Sequence, residues 1–152
     1  MKHIKSLGKI MNAKYGSHAA GTLETKSWDE KTWEGQPGNE VSGAKLTRAS
    51  VTAAFHGDIE GESRQEWLMS YRSDVSADFV GLERVTGQIG GRMGSFVLQH
   101  NGTYENGKLQ SAYMVVPGSG TGDLHCLRGQ GSYVFEGQHG DPTRYTLDFD
   151  FE

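Results

Sequence analysis

The segment TRYTLDFDFE, residues 143–152, sets Tyr145, Leu147, Phe149 and Phe151 at every second position, with Thr146, Asp148, Asp150 and Glu152 between them. A period of two sends the two sets to opposite faces of an extended strand, one apolar and one acidic. Only a sheet with one buried face accommodates such a pattern. The same alternation recurs upstream. Val51, Ala53 and Phe55 point one way and Ser50, Thr52 and Ala54 the other, while Trp67, Met69 and Tyr71 share a face. Apolar residues nowhere keep a helical period for about 10 residues, so the chain reads as all-β.

Glycine divides this pattern into pieces. The 22 glycines run from residue 8 to residue 140 instead of clustering, as turns and bulges between short strands require. Gly90-Gly91 and Asn106-Gly107 are two-residue hairpin signals. The strands are expected over 18–28, 44–57, 60–73, 77–89, 92–104, 105–116, 128–137 and 143–152, with a polar loop over 29–43. None of the three prolines falls within them. Eight sequential strands with short links predict an eight-stranded antiparallel meander β-barrel, the last strand closing on the first. A β-sandwich is the competing arrangement. Residues 1–16 read as a flexible lead-in and 17–152 as a single barrel domain.

Composition narrows the function classes. A length of 152 residues suits one domain with a real core. With 15 Lys plus Arg against 19 Asp plus Glu, the net charge is -4 and no basic stripe is present. Nucleic acid is therefore an unsuitable partner, and a polybasic membrane anchor is missing. No run of about 18 apolar residues occurs. Cys126 is the sole cysteine, which excludes a disulfide framework within the chain. The basic segment MKHIKSLGKIMNAKYGSH lacks the apolar stretch of a signal peptide, so a cytoplasmic location is expected.

The stretch PGSGTGDLHCLRGQG, residues 117–131, invites a phosphate-binding reading. A dinucleotide fingerprint needs a helix after its glycines, and a P-loop needs a lysine followed by Ser or Thr. Here Gly118, Gly120 and Gly122 leave at most one helical turn before Gly129, and no lysine follows Lys108. A corner fits better, with Thr121 or Asp123 capping a short turn and Leu124 and Leu127 plugging one barrel end. The segment GSGTGDLHCLRGQG also resembles the glycine corner of allene oxide cyclase-like barrels, which include dirigent proteins. KLTRASVTAAFHGDIEGES, FVGLERVTGQIGGRMGSFVLQHNG and YTLDFDFE extend the likeness, over about residues 17–152, to a bacterial family of domains of unknown function with that barrel. The resemblance implies a meander barrel that self-associates as a homo-oligomer, and it supplies no activity. The substrate-handling residues of the cyclase have no counterpart on this chain.

Several side chains stand out as candidates. Glu83 shares a face with Phe79 and Val85, and His100 with Phe96 and Leu98. A carboxylate and an imidazole on apolar faces of adjacent strands either satisfy one another or touch a ligand, and such a pair is suited to acid–base work. Trp67, Met69 and Tyr71 form an aromatic–sulfur face, with Tyr113 and Val115 facing the same interior; they are either core or pocket wall. The candidate ligand-binding set is thus Glu83, His100, Tyr71, Trp67 and Tyr113. Arg48, Arg64 and Arg84 either hold an anionic headgroup or, the better fit, take solvated outer positions, as Asp148, Asp150 and Glu152 do. His100, His125, Cys126 and His139 lack the spacing of a metal site, so neither metal nor cofactor is expected. Cys126 reads as a small buried thiol.

The leading functional expectation is a barrel that binds a small apolar or amphipathic ligand. The alternatives are an isomerase- or cyclase-like enzyme on a lipid-like substrate, with Glu83 and His100 polarising it, and a solid barrel acting as an interaction module. A ligand-sized void lined by Glu83, His100 and Tyr71 is what separates the first two from the third.

Overall fold

The computed structural model describes residues 14–136 and 141–152. The expected lead-in lies outside the described residues up to position 13, and so does His139. Eight strands follow in order: β1 (Ser17–Thr32), β2 (Lys45–Gly57), β3 (Ile59–Ser73), β4 (Ser76–Ile89), β5 (Arg92–Glu105), β6 (Lys108–Val115), β7 (Leu127–Glu136) and β8 (Thr143–Phe151). Each pairs antiparallel with the next, and β8 pairs with β1 to close the barrel. The closing register runs from Ser17 opposite Phe149 to Leu23 opposite Thr143. The all-β meander barrel read from the alternation is therefore the fold.

The period-two pattern supplies the buried face of this closed sheet. Tyr145, Leu147 and Phe149 on β8 are buried, as are Val51, Ala53 and Phe55 on β2 and Trp67 and Met69 on β3. Each large apolar side chain withdrawn from water contributes about 1.5–3 kcal/mol, so a register slip of one residue would expose all of them together. The opposite faces carry Arg48, Arg64, Arg84 and Glu62, all exposed. An apolar interior with charges outside is the reverse of a lipid-spanning barrel. Among the described residues, no helix is long and apolar enough to cross a membrane.

The first connection departs from the expectation. The sequence places residues 29–32 in a polar loop, yet β1 continues through them. The register shifts between Thr25 and Ser27, leaving Lys26 as an extra residue. That bulge changes which positions face inward. Beyond it Trp28, Glu30 and Thr32 lie opposite the inward Val51, Ala49 and Thr47. A period-two reading carried across the bulge assigns these residues to the wrong face.

The glycine-rich corner completes the sheet where β6 stops. β6 ends at Val115, opposite Leu98, so the preceding part of β5 has no strand partner on that side. Val116 N–H donates to Val97 O (2.8 Å), and Thr121 N–H donates to Ser95 O (2.8 Å). In return Val97 N–H donates to Ser119 Oγ (3.1 Å) and Ser95 N–H to Thr121 Oγ1 (3.0 Å). Thr121 precedes the short 3-10 turn Gly122–Leu124 but makes no capping bond with its side chain, because that hydroxyl is engaged by β5. Leu124 and Leu127 are buried and close this end of the barrel. A Cβ on Gly120 would stand 1.9 Å from Leu124 O, so the turn excludes any larger residue. Cys126, expected to be buried, is partly exposed beside this turn.

Glycine also makes room inside. Gly81 on β4 sits between Trp67 and His100, and a Cβ there would lie 2.4 Å from Trp67 Cε3. Gly102 on β5 stands opposite Phe79 in the same relation. An eight-stranded barrel is only wide enough to be filled by its side chains, so bulky aromatics require missing ones across from them.

Candidate functional site

Five inward positions on five consecutive strands build a polar cluster at mid-barrel: Gln65 on β3, Glu83 on β4, His100 on β5, Ser111 on β6 and Tyr133 on β7. All are buried. His100 Nε2 lies 2.9 Å from Glu83 Oε1, and Gln65 Nε2 donates to Glu83 Oε2 at 2.8 Å. The Tyr133 hydroxyl donates to Glu83 Oε1. Three donors thus converge on an acceptor-only group, the pattern that an ionised carboxylate satisfies. On its other side His100 Nδ1 meets Ser111 Oγ at 2.7 Å. Trp67 stands edge-on to the imidazole with centroids 4.7 Å apart, and Tyr113 and Tyr133 lie at 4.8 and 5.0 Å.

The meeting of Glu83 and His100 was expected from their faces. The remaining three partners were not, although each carried a signal. Gln65 and Ser111 stand two positions before Trp67 and Tyr113, in the inward phase, and Tyr133 is a buried aromatic of its own strand, two positions before Phe135. A polar residue in the apolar phase of a strand needs a partner, and the neighbouring strands supply it. Among the described side chains, no fully buried nitrogen or oxygen lacks a hydrogen-bond partner.

Above this cluster a cavity of about 70 Å³ opens towards solvent. Trp67, Met69, Phe79 and Leu109 form its apolar walls. Gln65, Ser111 and Tyr133 form the inner end, and Thr25, Trp28 and Thr143 the rim. Trp28 is 49% exposed. Of the five side chains picked out from the sequence, Trp67 lines this cavity. Glu83 and His100 sit behind Gln65, Ser111 and Tyr133. The Tyr113 hydroxyl turns away to the carbonyls of Ser132 and Thr146.

Tyr71 belongs to a separate cluster that the bulge creates. Glu30, carried inward past Lys26, accepts from Tyr71 OH (2.7 Å), Thr47 Oγ1 (2.6 Å) and Trp28 Nε1 (3.0 Å). Lys45 Nζ lies over the Tyr71 ring and donates to the carbonyls of Gly38 and Val41. Glu30 was invisible in the sequence because it stood in an apparent loop. The outer stripe of β8 is paired: His18 Nδ1 lies 2.5 Å from Asp148, and Arg128 meets both Asp150 and Glu152.

A model of the family described as "Protein of unknown function (DUF3224)" matches residues 19–149, from β1 into β8. The chain belongs to the DUF3224 family. Among solved structures, the DUF3224 barrel is similar to a protein of unknown function from the same family in Shewanella oneidensis MR-1. The two share 30% sequence identity over 90% of this chain and 98% of that one, with a TM-score of 0.70. No curated protein matches the chain.

The tyrosines of this DUF3224 barrel report on the buried cluster. Burial, and then the charge of Glu83, push the phenols of Tyr113 and Tyr133 well above the ordinary tyrosine range. Burial followed by the bond to Glu30 raises Tyr71, and burial also raises Tyr145. A phenol whose folded pKa lies above its unfolded value stabilises the fold fully below about pH 10, and this contribution is lost as pH rises through the folded value. Absorbance at 295 nm during alkaline titration is therefore expected to show these phenolates appearing only together with loss of the barrel circular-dichroism signal. Full ionisation of all six tyrosines in a still-folded protein would contradict the burial described here.

Proposed function

We propose that this protein binds a small apolar or amphipathic ligand end-on, in the cavity between Trp28 and Trp67. The observation that carries the reading is the unequal filling of the barrel. Towards the glycine corner, Phe55, Ile59, Ile89, Phe96, Leu98 and Leu124 are packed and buried. Towards the other end, Trp67, Met69 and Phe79 leave a cavity whose rim tryptophan is half exposed. Pockets that enclose a whole drug-sized molecule run to about 300–1,000 Å³, and an apolar cavity that takes benzene is about 150 Å³. At about 70 Å³, this one admits the end of a chain, with the remainder lying against Trp28. The isomerase- or cyclase-like alternative draws less support, because Glu83 and His100 are engaged with their neighbours and lie behind the cavity wall.

The three tryptophans make a direct test. Trp28 and Trp67 line the cavity, whereas Trp33 is on the outer surface with its indole N–H on Thr47 O. Titrating 1-hexanol into ¹⁵N-labelled protein is expected to move the Trp28 and Trp67 indole resonances saturably and leave Trp33 in place. Leu109→Phe, which fills the cavity, is expected to weaken this response at least about tenfold, since a displaced apolar end removes about 1.4 kcal/mol or more. A linear, unsaturable drift of all three indoles would refute the binding reading.

A further inference from the structure

The hydrogen bonds at the inner end of the cavity select the chemistry of what enters, an inference that rests on the binding reading above. The donors there are already engaged. Gln65 Nε2 has its two protons on Glu83 Oε2 (2.8 Å) and Ser63 Oγ (3.3 Å). This amide orientation is set by the carboxylate, which only accepts when ionised. The Tyr133 hydroxyl proton lies on Glu83 Oε1, and its phenol is held protonated by burial. The imidazole lies with Nε2 2.9 Å from the same carboxylate and Nδ1 2.7 Å from Ser111 Oγ, so both ring nitrogens are engaged and neither faces the cavity. The Trp67 indole N–H is on Gln65 Oε1 at 3.2 Å.

What remains open toward the cavity is acceptor capacity: the second lone pair of Gln65 Oε1 and the oxygens of Ser111 and Tyr133. Free hydroxyl donors on the lining belong to Thr25 and Thr143, at the solvent-facing rim. An incoming carbonyl or carboxylate would find no donor at the inner end and would face oxygen atoms backed by Glu83. A hydroxyl or ammonium would find acceptors, and Met69, Phe79, Trp67 and Leu109 would enclose the first carbons behind it.

We propose that the cavity takes an alkyl alcohol or alkyl amine head-first, its donor group on the Gln65–Ser111–Tyr133 oxygens, and rejects the carboxylate of the same length. Leaving a buried acceptor unmet is a modest penalty, whereas burying an unpaired anion is a large one.

The test compares 1-hexanol, hexylamine, hexanoate and pentane at pH 7, read by the Trp28 and Trp67 indole resonances with Trp33 as the internal reference. The alcohol or the amine is expected to bind at least about tenfold more tightly than hexanoate, and more tightly than pentane. In Ser111→Ala, which deletes one acceptor, the preference for alcohol over pentane is expected to shrink several-fold while pentane binding persists. Hexanoate binding as tight as hexanol, or pentane binding equal to both donors, overturns the donor rule while leaving a binding cavity in place. Failure of all four probes to bind saturably overturns the binding reading and the donor rule with it.

Discussion

Glu83→Ala is expected to destabilise the barrel by about 3–5 kcal/mol, because it strands three buried hydrogen-bond partners at about 1–3 kcal/mol each. The carboxylate is 0% exposed and accepts from His100, Gln65 and Tyr133. Alanine leaves three donors on three different strands without the acceptor they share. The midpoint of urea unfolding measures the loss. Glu83→Gln is expected to lie between alanine and wild type, because the amide keeps one acceptor oxygen but points its NH₂ at existing donors. The double variant Glu83→Leu with His100→Leu is expected to cost much less than the sum of the two single changes, since apolar replacement removes both unmet partners together. Additive costs would mean that the pair is not coupled, and a Glu83→Ala loss below about 1 kcal/mol would mean that the cluster contributes little.

Gly81→Ala carries the second large expectation, a loss of about 3 kcal/mol from a single added methyl group. The new Cβ would stand 2.3 Å from Glu66 O and 2.4 Å from Trp67 Cε3. Backbone on one side cannot yield, so the indole must. Trp67 is held edge-on to Phe79 at 5.2 Å and to His100 at 4.7 Å, and its N–H is on Gln65. Displacing it disturbs the cavity wall and the polar cluster in one movement. Gly16→Ala, where nothing lies within 4 Å of the new Cβ, is the control and is expected to stay within about 0.5 kcal/mol of wild type. Thermal unfolding of the two variants and the emission of Trp67 provide the readouts. Equal stability of both would show that the barrel interior has slack at Gly81.

Much of the candidate site could be read from alternation. Glu83, His100, Trp67 and Tyr113 all occupy the inward phase of regular strands, and two-residue periodicity assigns such positions a face without knowledge of the partner strand. Glu30 could not be found that way. Its facing depends on the bulge at Lys26, and an extra residue in a polar segment leaves no mark on hydrophobic periodicity. Gln65, Ser111 and Tyr133 were legible as inward residues but not as partners of Glu83. Which residues meet across a barrel depends on the stagger between strands, and one strand's pattern does not contain that stagger.

The glycine corner shows the same division. Its glycines declared a tight reversal, and Leu124 and Leu127 declared a plug. That Thr121 bonds to β5 instead of capping its own turn depends on where β6 ends, which leaves the first six residues of β5 without a strand partner on that side.

From the sequence alone came the all-β class, the number of strands and the inward set of side chains, because these are local consequences of period-two alternation and of hairpin chemistry. The pairing of β8 with β1 decided for a closed barrel over a sandwich. Tertiary structure decided that Glu83 and His100 are sealed behind Gln65, Ser111 and Tyr133, that Glu30 faces inward, and that the remaining space is a small cavity beside Trp67 and Trp28. Such outcomes depend on volumes and registers summed around a closed ring of strands, and no single segment carries that sum.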